Sequence, residues 1–172
     1  MSGNGQQRYK ARKVLVACLG NPDRGDDGVG AAVAQALKGK LPADVILMTR
    51  SGDMLSLIDD WSGVDAVVCV DAAATMETPG RIHRIDLKTE SLPANMAVTS
   101  GHAFGLAEAV QLARTLGLAP AEIVVYAVEG GCFEGGAEMT AAVTGAVAEV
   151  ARLVIEEVRL LRQSVTEMNA HA

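Results

Sequence analysis

Residues 14–30 carry the chemistry that stands out first, because Asp26 and Asp27 follow an apolar run and the turn Leu19-Gly20-Asn21-Pro22. An apolar run, a Gly-Asn-Pro turn and a Gly-Asp-Asp-Gly segment opening an amphipathic stretch spell strand, tight turn, helix. Such a turn sets acidic side chains and free backbone N–H groups at the carboxyl end of a sheet, where open α/β folds hold ligands. Asp71 follows a second apolar run, Ala66-Val67-Val68-Cys69-Val70, and His102 opens a later amphipathic stretch. Two carboxylates and an imidazole from separate element ends suit a metal-centred or acid–base site. Two hard oxygens and one borderline nitrogen form an open set for Zn, Ni, Co or Mn that leaves positions for substrate.

Each of these residues also has a purely structural reading. A carboxylate in the first helical turn accepts backbone N–H bonds, so one of Asp26 and Asp27 is expected to be a helix cap. We assign the cap to Asp26 and the crevice to Asp27, since Gly28 and Gly30 would leave space beside it. The spacing is neither GxGxxG nor GxxxxGK[ST], and an acidic pair repels phosphate, so a nucleotide cradle is disfavoured. Asp71 would either cap the following Ala-rich turn or need a partner or metal, because a carboxylate ending a central strand is desolvated. His102 shares a stripe with Leu106, Val110 and Ala113 and so reads as a core residue or as a neutral ligand or base at the helix start. His83 and His171 are expected at the surface. No H-E-x-x-H, no G-x-S-x-G elbow and no cysteine beside a base is present, which argues against zincin chemistry and Ser or Cys nucleophiles.

A chain of 172 residues suits one domain with a full core. With 49% hydrophobic and only 3% aromatic residues, that core must be built from Val, Leu, Ala and Met, as where helices cover both faces of a mostly parallel sheet. The formal charge is −6 and no dense basic stripe follows residue 13, which excludes nucleic acid as the main partner. Arg8, Lys10, Arg12 and Lys13 are expected on a flexible, solvated start. Cys18, Cys69 and Cys132 occur singly, which fits a reducing cytosol. No secretory signal and no apolar run of about 18 residues is seen, so a soluble, cytoplasmic protein is expected.

The elements that must position the acids alternate along the chain. Strands are expected over 13–19, 44–48, 65–70, 81–87 and 122–128. Helices are expected over 26–38, 54–61 and 101–116, the last capped by Ser100, and from a Thr140 cap to about residue 162. Residues 1–12 and 163–172 are expected to be flexible. Alternation without a composition break predicts a single three-layer α/β/α sandwich over 13–162, with a mostly parallel five-stranded sheet and helices on both faces.

At the same residues the chain resembles the hydrogenase maturation endopeptidases, over about residues 13–155. The resemblance is carried by Leu19-Gly20-Asn21-Pro22 with Gly25-Asp26-Asp27-Gly28-Val29-Gly30, then Val67-Val68-Cys69-Val70-Asp71-Ala72, then Ser100-Gly101-His102 with Gly105-Leu106-Ala107-Glu108-Ala109. Tyr126-Ala127-Val128-Glu129 and Met139-Thr140-Ala141-Ala142-Val143 are similar to the family's last strand and final helix. The resemblance implies an aspartyl-type endopeptidase that removes a C-terminal extension from the large-subunit precursor of a [NiFe] hydrogenase after nickel insertion. It implies Asp27, Asp71 and His102 as the metal-contacting and catalytic residues, with nickel supplied by the precursor and no organic cofactor. Neither nucleic acid nor membrane is an implied partner, and a monomer is expected.

One segment departs from the family pattern. Many members carry a Gly-rich Asp-Gly-Gly-Thr-like turn after the second strand, where this chain has Thr49-Arg50-Ser51-Gly52-Asp53, with a cation expected in the crevice. The alternative reading is a non-catalytic assembly chaperone, a Rossmann-like fold that grips the nickel site of a partner. A metallohydrolase of small molecules is a third.

Overall fold

The structure is a computed structural model that describes residues 11–93 and 105–163. Strands β1 (Val14–Leu19), β2 (Ile46–Arg50), β3 (Ala66–Ala73), β4 (Ile82–Asp86) and β5 (Glu122–Glu129) form one sheet in the order β2-β1-β3-β5-β4. The first four in that order run parallel, and β4 closes the edge antiparallel to β5. β1 and β3 are buried at every residue, as unbroken apolar runs demand when both sheet faces are covered. β4 mixes apolar Ile82 and Ile85 with polar His83, Arg84 and Asp86 and takes the edge.

Helices α1 (Val29–Leu37) and α4 (Ala141–Gln163) cover one face, and α2 (Ser56–Asp60) and α3 (Leu106–Thr115) cover the other. On the first face Val14, Val16, Val68, Val70 and Val124 meet Val29, Val33, Leu37, Val150 and Val154. On the second, Leu15, Ala17, Val67 and Cys69 meet Leu57, Ile58, Ala109 and Val110. Odd and even strand positions thus feed separate cores, the period of two expected of a pleated strand. The expected three-layer architecture is the one found.

Element boundaries moved in informative ways. The second strand begins at Ile46 and runs to Arg50, two residues later at each end than the expected 44–48. The third runs on past Val70 to Ala73, so Asp71 lies inside a strand and not at its tip. The helix expected from Asp26 begins as a single 3₁₀ turn, Gly25–Gly28, and becomes α-helical only at Val29. Arg12, expected on a flexible start, is packed down: its guanidinium donates to the Leu161 carbonyl at 3.0 Å and pairs with Glu122 at 3.2 Å. Ser100, His102 and His171 lie outside the described residues.

Candidate active site

Asp26 does not cap α1. Its side chain reaches across the carboxyl edge of the sheet and accepts from the backbone N–H of Gly131 at 2.7 Å, of Cys132 at 3.1 Å and of Thr140 at 2.7 Å. The Thr140 hydroxyl donates to it as well, at 3.0 Å to either oxygen. The residue's own N–H returns a 2.8 Å bond to the Cys132 carbonyl. Asp26 is fully buried, 0% exposed, and its acceptor capacity is filled. It ties the first turn to the loop between β5 and α4, and Thr140 turns its hydroxyl to Asp26 while standing just ahead of the final helix.

Asp27 is nearly as buried, at 2% exposed, yet far less satisfied. Its Oδ2 accepts the Asn21 N–H at 2.9 Å. The room for it comes from Gly20 and not from the glycines downstream. At Gly20, with φ of 117°, an added Cβ would stand 2.2 Å from the Asp27 carbonyl oxygen and 3.0 Å from its Oδ1. Gly30, expected to open space beside Asp27, instead lets α1 lie on β1, since a Cβ there would meet the Leu19 carbonyl oxygen at 2.2 Å. Gly28 likewise faces Pro22.

Asp71 shares the sheet face of Val67, Cys69 and Ala73, the face that α2 and α3 cover. Its Oδ1 accepts the N–H of Ala72 at 2.9 Å. Burial, and then the negative charge of Asp27, push its carboxyl up from an ordinary 3.8 to about 7, against the lowering effect of the Ala72 N–H. The two aspartates are therefore brought together and share one electrostatic environment. Among the described residues no three His, Cys, Asp or Glu side chains gather into a metal-holding group. His102 lies outside the described residues.

Two residues of this edge escaped the sequence reading. His83, expected at the surface, is half-buried, with Nε2 2.6 Å from Glu129 Oε1. Glu129 closes β5 without exposed surface, and its Oε2 accepts the N–H groups of Met76, Glu77 and Thr78 at 3.1, 2.9 and 2.9 Å. Burial pushes its carboxyl up, but the His83 bond and these N–H groups outweigh burial and hold it below the usual range. The pair fastens the loop that leaves β3 to the end of β5. The signal was present, since Glu129 ends the apolar run Ile123–Val128 much as Asp71 follows Val70.

Arg50, the cation expected in the crevice, is bound instead to Asp60, with Nε and Nη2 at 2.8 and 2.6 Å from its two oxygens. Asp53 accepts from Leu55 N–H and the Ser56 hydroxyl and so starts α2. The departing loop thus forms a hydrogen-bonded, charge-paired turn.

Known proteins complete the picture. No curated protein matches the chain. Among solved structures it is similar to an endopeptidase from Escherichia coli, at 23% identity and a TM-score of 0.75 over 86% of this chain and 92% of that one. It is similar to the hydrogenase maturating endopeptidase HybD from E. coli, at 20% identity and a TM-score of 0.70 over 86% and 92%. The [NiFe] hydrogenase maturation protease HycI from Thermococcus kodakarensis KOD1 has 22% identity and a TM-score of 0.68 over 88% and 95%. At these identities the likeness shows the shared α/β fold. The family model described as hydrogenase maturation protease (HycI) matches residues 31–157, a span that begins just past Asp27 and includes Asp71 and His102. That span is well over half of the chain, which therefore belongs to the hydrogenase maturation protease family, a family of peptidases.

Proposed function

We propose that this protein removes the C-terminal extension of a [NiFe] hydrogenase large-subunit precursor after nickel has been inserted, with Asp27, Asp71 and His102 contacting the nickel that the precursor carries. The observation that carries the reading is the pair of buried, sparsely bonded aspartates, with Asp71 held up to about 7 by burial and by Asp27. Among the described residues these two carboxylates have no counter-charge, and a divalent cation arriving with the substrate supplies one. The donor set suits nickel: two carboxylate oxygens and, from the segment before α3, an imidazole nitrogen. A cation so held acts as a Lewis acid on a neighbouring peptide carbonyl or water.

The chain's own groups have separate duties on this reading. Asp27, fixed by the Asn21 N–H, orients the bound centre. Asp71 carries a proton near neutral pH when the site is empty and releases it as the cation arrives. Asp26 and Glu129 hold the two loops that frame the opening. The metal belongs to the substrate, so the resting protein is a cytoplasmic monomer that needs no metal of its own.

Intact-mass spectrometry of nickel-loaded precursor, before and after mixing with purified protein, tests this. The precursor should lose the mass of its extension, and Asp27→Ala or His102→Ala should abolish that loss. Complex formation without a mass change would replace the protease with the assembly chaperone. Undiminished processing by both variants would remove these residues from the chemistry.

A further inference from the structure

A second feature adjoins the 22–28 turn that carries Asp27, and Asp27 does not line it. A groove of ≈ 500 Å³ runs between that turn, the outer face of α1 and the loop ahead of α4. Its walls include Gly25, Gly28, Ala31, Ala32, Gly136 and Ala137, none of which projects beyond a Cβ. Such a wall admits the main chain of a partner closely, where larger side chains would hold it off. Its rim carries Asp23 and Glu138, both exposed.

These rim acids differ from others on the surface. Asp44 is paired with Arg162, Glu149 with Arg152 and Glu156 with Arg159. Neither Asp23 nor Glu138 has a cation partner among the described residues. The groove is therefore an open, negatively edged channel whose wall is the turn that carries Asp27.

We propose that this groove binds an extended, positively charged segment of the protein substrate and so sets which precursor is accepted. The inference rests on the protease reading above and adds to it the substrate's chemistry: small or extended main chain against the alanine wall, with Lys or Arg side chains meeting Asp23 and Glu138. Binding there places the segment beside the first turn without occupying the aspartate pair. Charge at an exposed rim acts on encounter and affinity more than on the chemical step.

The test is steady-state processing of the nickel-loaded precursor by wild type, by Asp23→Lys/Glu138→Lys and by Ala31→Leu/Ala32→Leu. Both exposed charge reversals leave the buried cores untouched. The expected result is a KM raised about tenfold in the charge-reversed variant with kcat unchanged, the difference shrinking in high salt. The wall-filling variant should raise KM without that salt dependence. Reversing the charges of Lys or Arg residues in the precursor's own extension should restore the KM of the charge-reversed protein. Processing by wild type with the same KM in both variants would overturn the groove while leaving the protease reading intact. Absence of processing by wild type, with Asp27→Ala behaving identically, would overturn the protease reading and the groove with it.

Discussion

Four carboxylates are buried at the carboxyl edge of the sheet, and they fall into two unlike pairs. Asp26 and Glu129 are saturated: the first accepts from three backbone N–H groups and a hydroxyl, the second from three N–H groups and an imidazole. Asp27 and Asp71 each accept a single N–H among the described residues, although they are 2% and 9% exposed. Removing a carboxylate from water is costly unless donors replace the lost hydration. Asp26 and Glu129 have their donors within the fold, and they organise loops. Asp27 and Asp71 are left short, and the charge of Asp27 adds to burial in raising the pKa of Asp71. Adjacency in the chain counts for little, since residues 26 and 27 belong to opposite pairs.

The saturated pair offers the largest effect. Asp26→Ala strands the N–H groups of Gly131, Cys132 and Thr140 and the Thr140 hydroxyl at once. Breaking a buried, hydrogen-bonded charge on one side costs about 3–5 kcal/mol. Urea unfolding should show a loss of that size, and a loss below about 1 kcal/mol would erase the distinction between the pairs.

The short pair should respond with the opposite sign. Asp71 keeps its proton to about pH 7 in the folded protein and loses it near 3.8 when unfolded. Between those values the unfolded chain binds fewer protons than the native one, so stability falls as pH rises through the window and stays lowered above it. Asp71→Asn mimics the protonated acid and retains an acceptor for Ala72 N–H. It should gain up to about 4 kcal/mol at pH 8, relative to wild type, and nothing below about pH 4. The same variant should lose processing. Equal stability changes at both pH values would show that Asp71 is not a strained acid.

A smaller shift isolates the coupling itself. In Asp27→Asn the charge that raises Asp71 is gone while burial remains. The Asp71 midpoint, followed by carboxyl NMR, should move down from about 7 by roughly one unit. An unmoved midpoint would separate the two aspartates and leave burial as the sole cause.

How legible these pairs were follows from period and position. The unbroken apolar runs at Val14–Leu19 and Ala66–Val70 gave away the central strands, and with them the edge where Asp27 and Asp71 stand. Asp26 was expected to cap the helix and Gly28 and Gly30 to leave space beside Asp27, and the structure shows neither. The deciding contacts join residue 26 to 131, 132 and 140, more than a hundred residues away, and no local pattern encodes them. The same holds for His83, expected at the surface until Glu129 from a neighbouring strand reaches it. Gly20 was legible as a turn glycine; that it makes room for Asp27 needs the turn folded back on itself.

The smallest effect comes from a charge pair at the outer rim of the same edge, where solvent takes over the role that donors play inside. Arg50 holds Asp60 with two bonds, but its side chain is 38% exposed against 14% for Asp60. Water solvates the guanidinium whether or not Asp60 is present, and holding two long side chains in register costs entropy. Arg50→Met keeps most of the aliphatic stem and leaves the bond from Gly20 N–H to the residue's own carbonyl in place. Unfolding free energy should fall only slightly at low salt and by less in 1 M salt, where screening shortens the reach of the charges to about 3 Å. A loss as large as that of Asp26→Ala would mean that the rim is as dry as the interior, and the contrast between saturated and short carboxylates could no longer be drawn from burial.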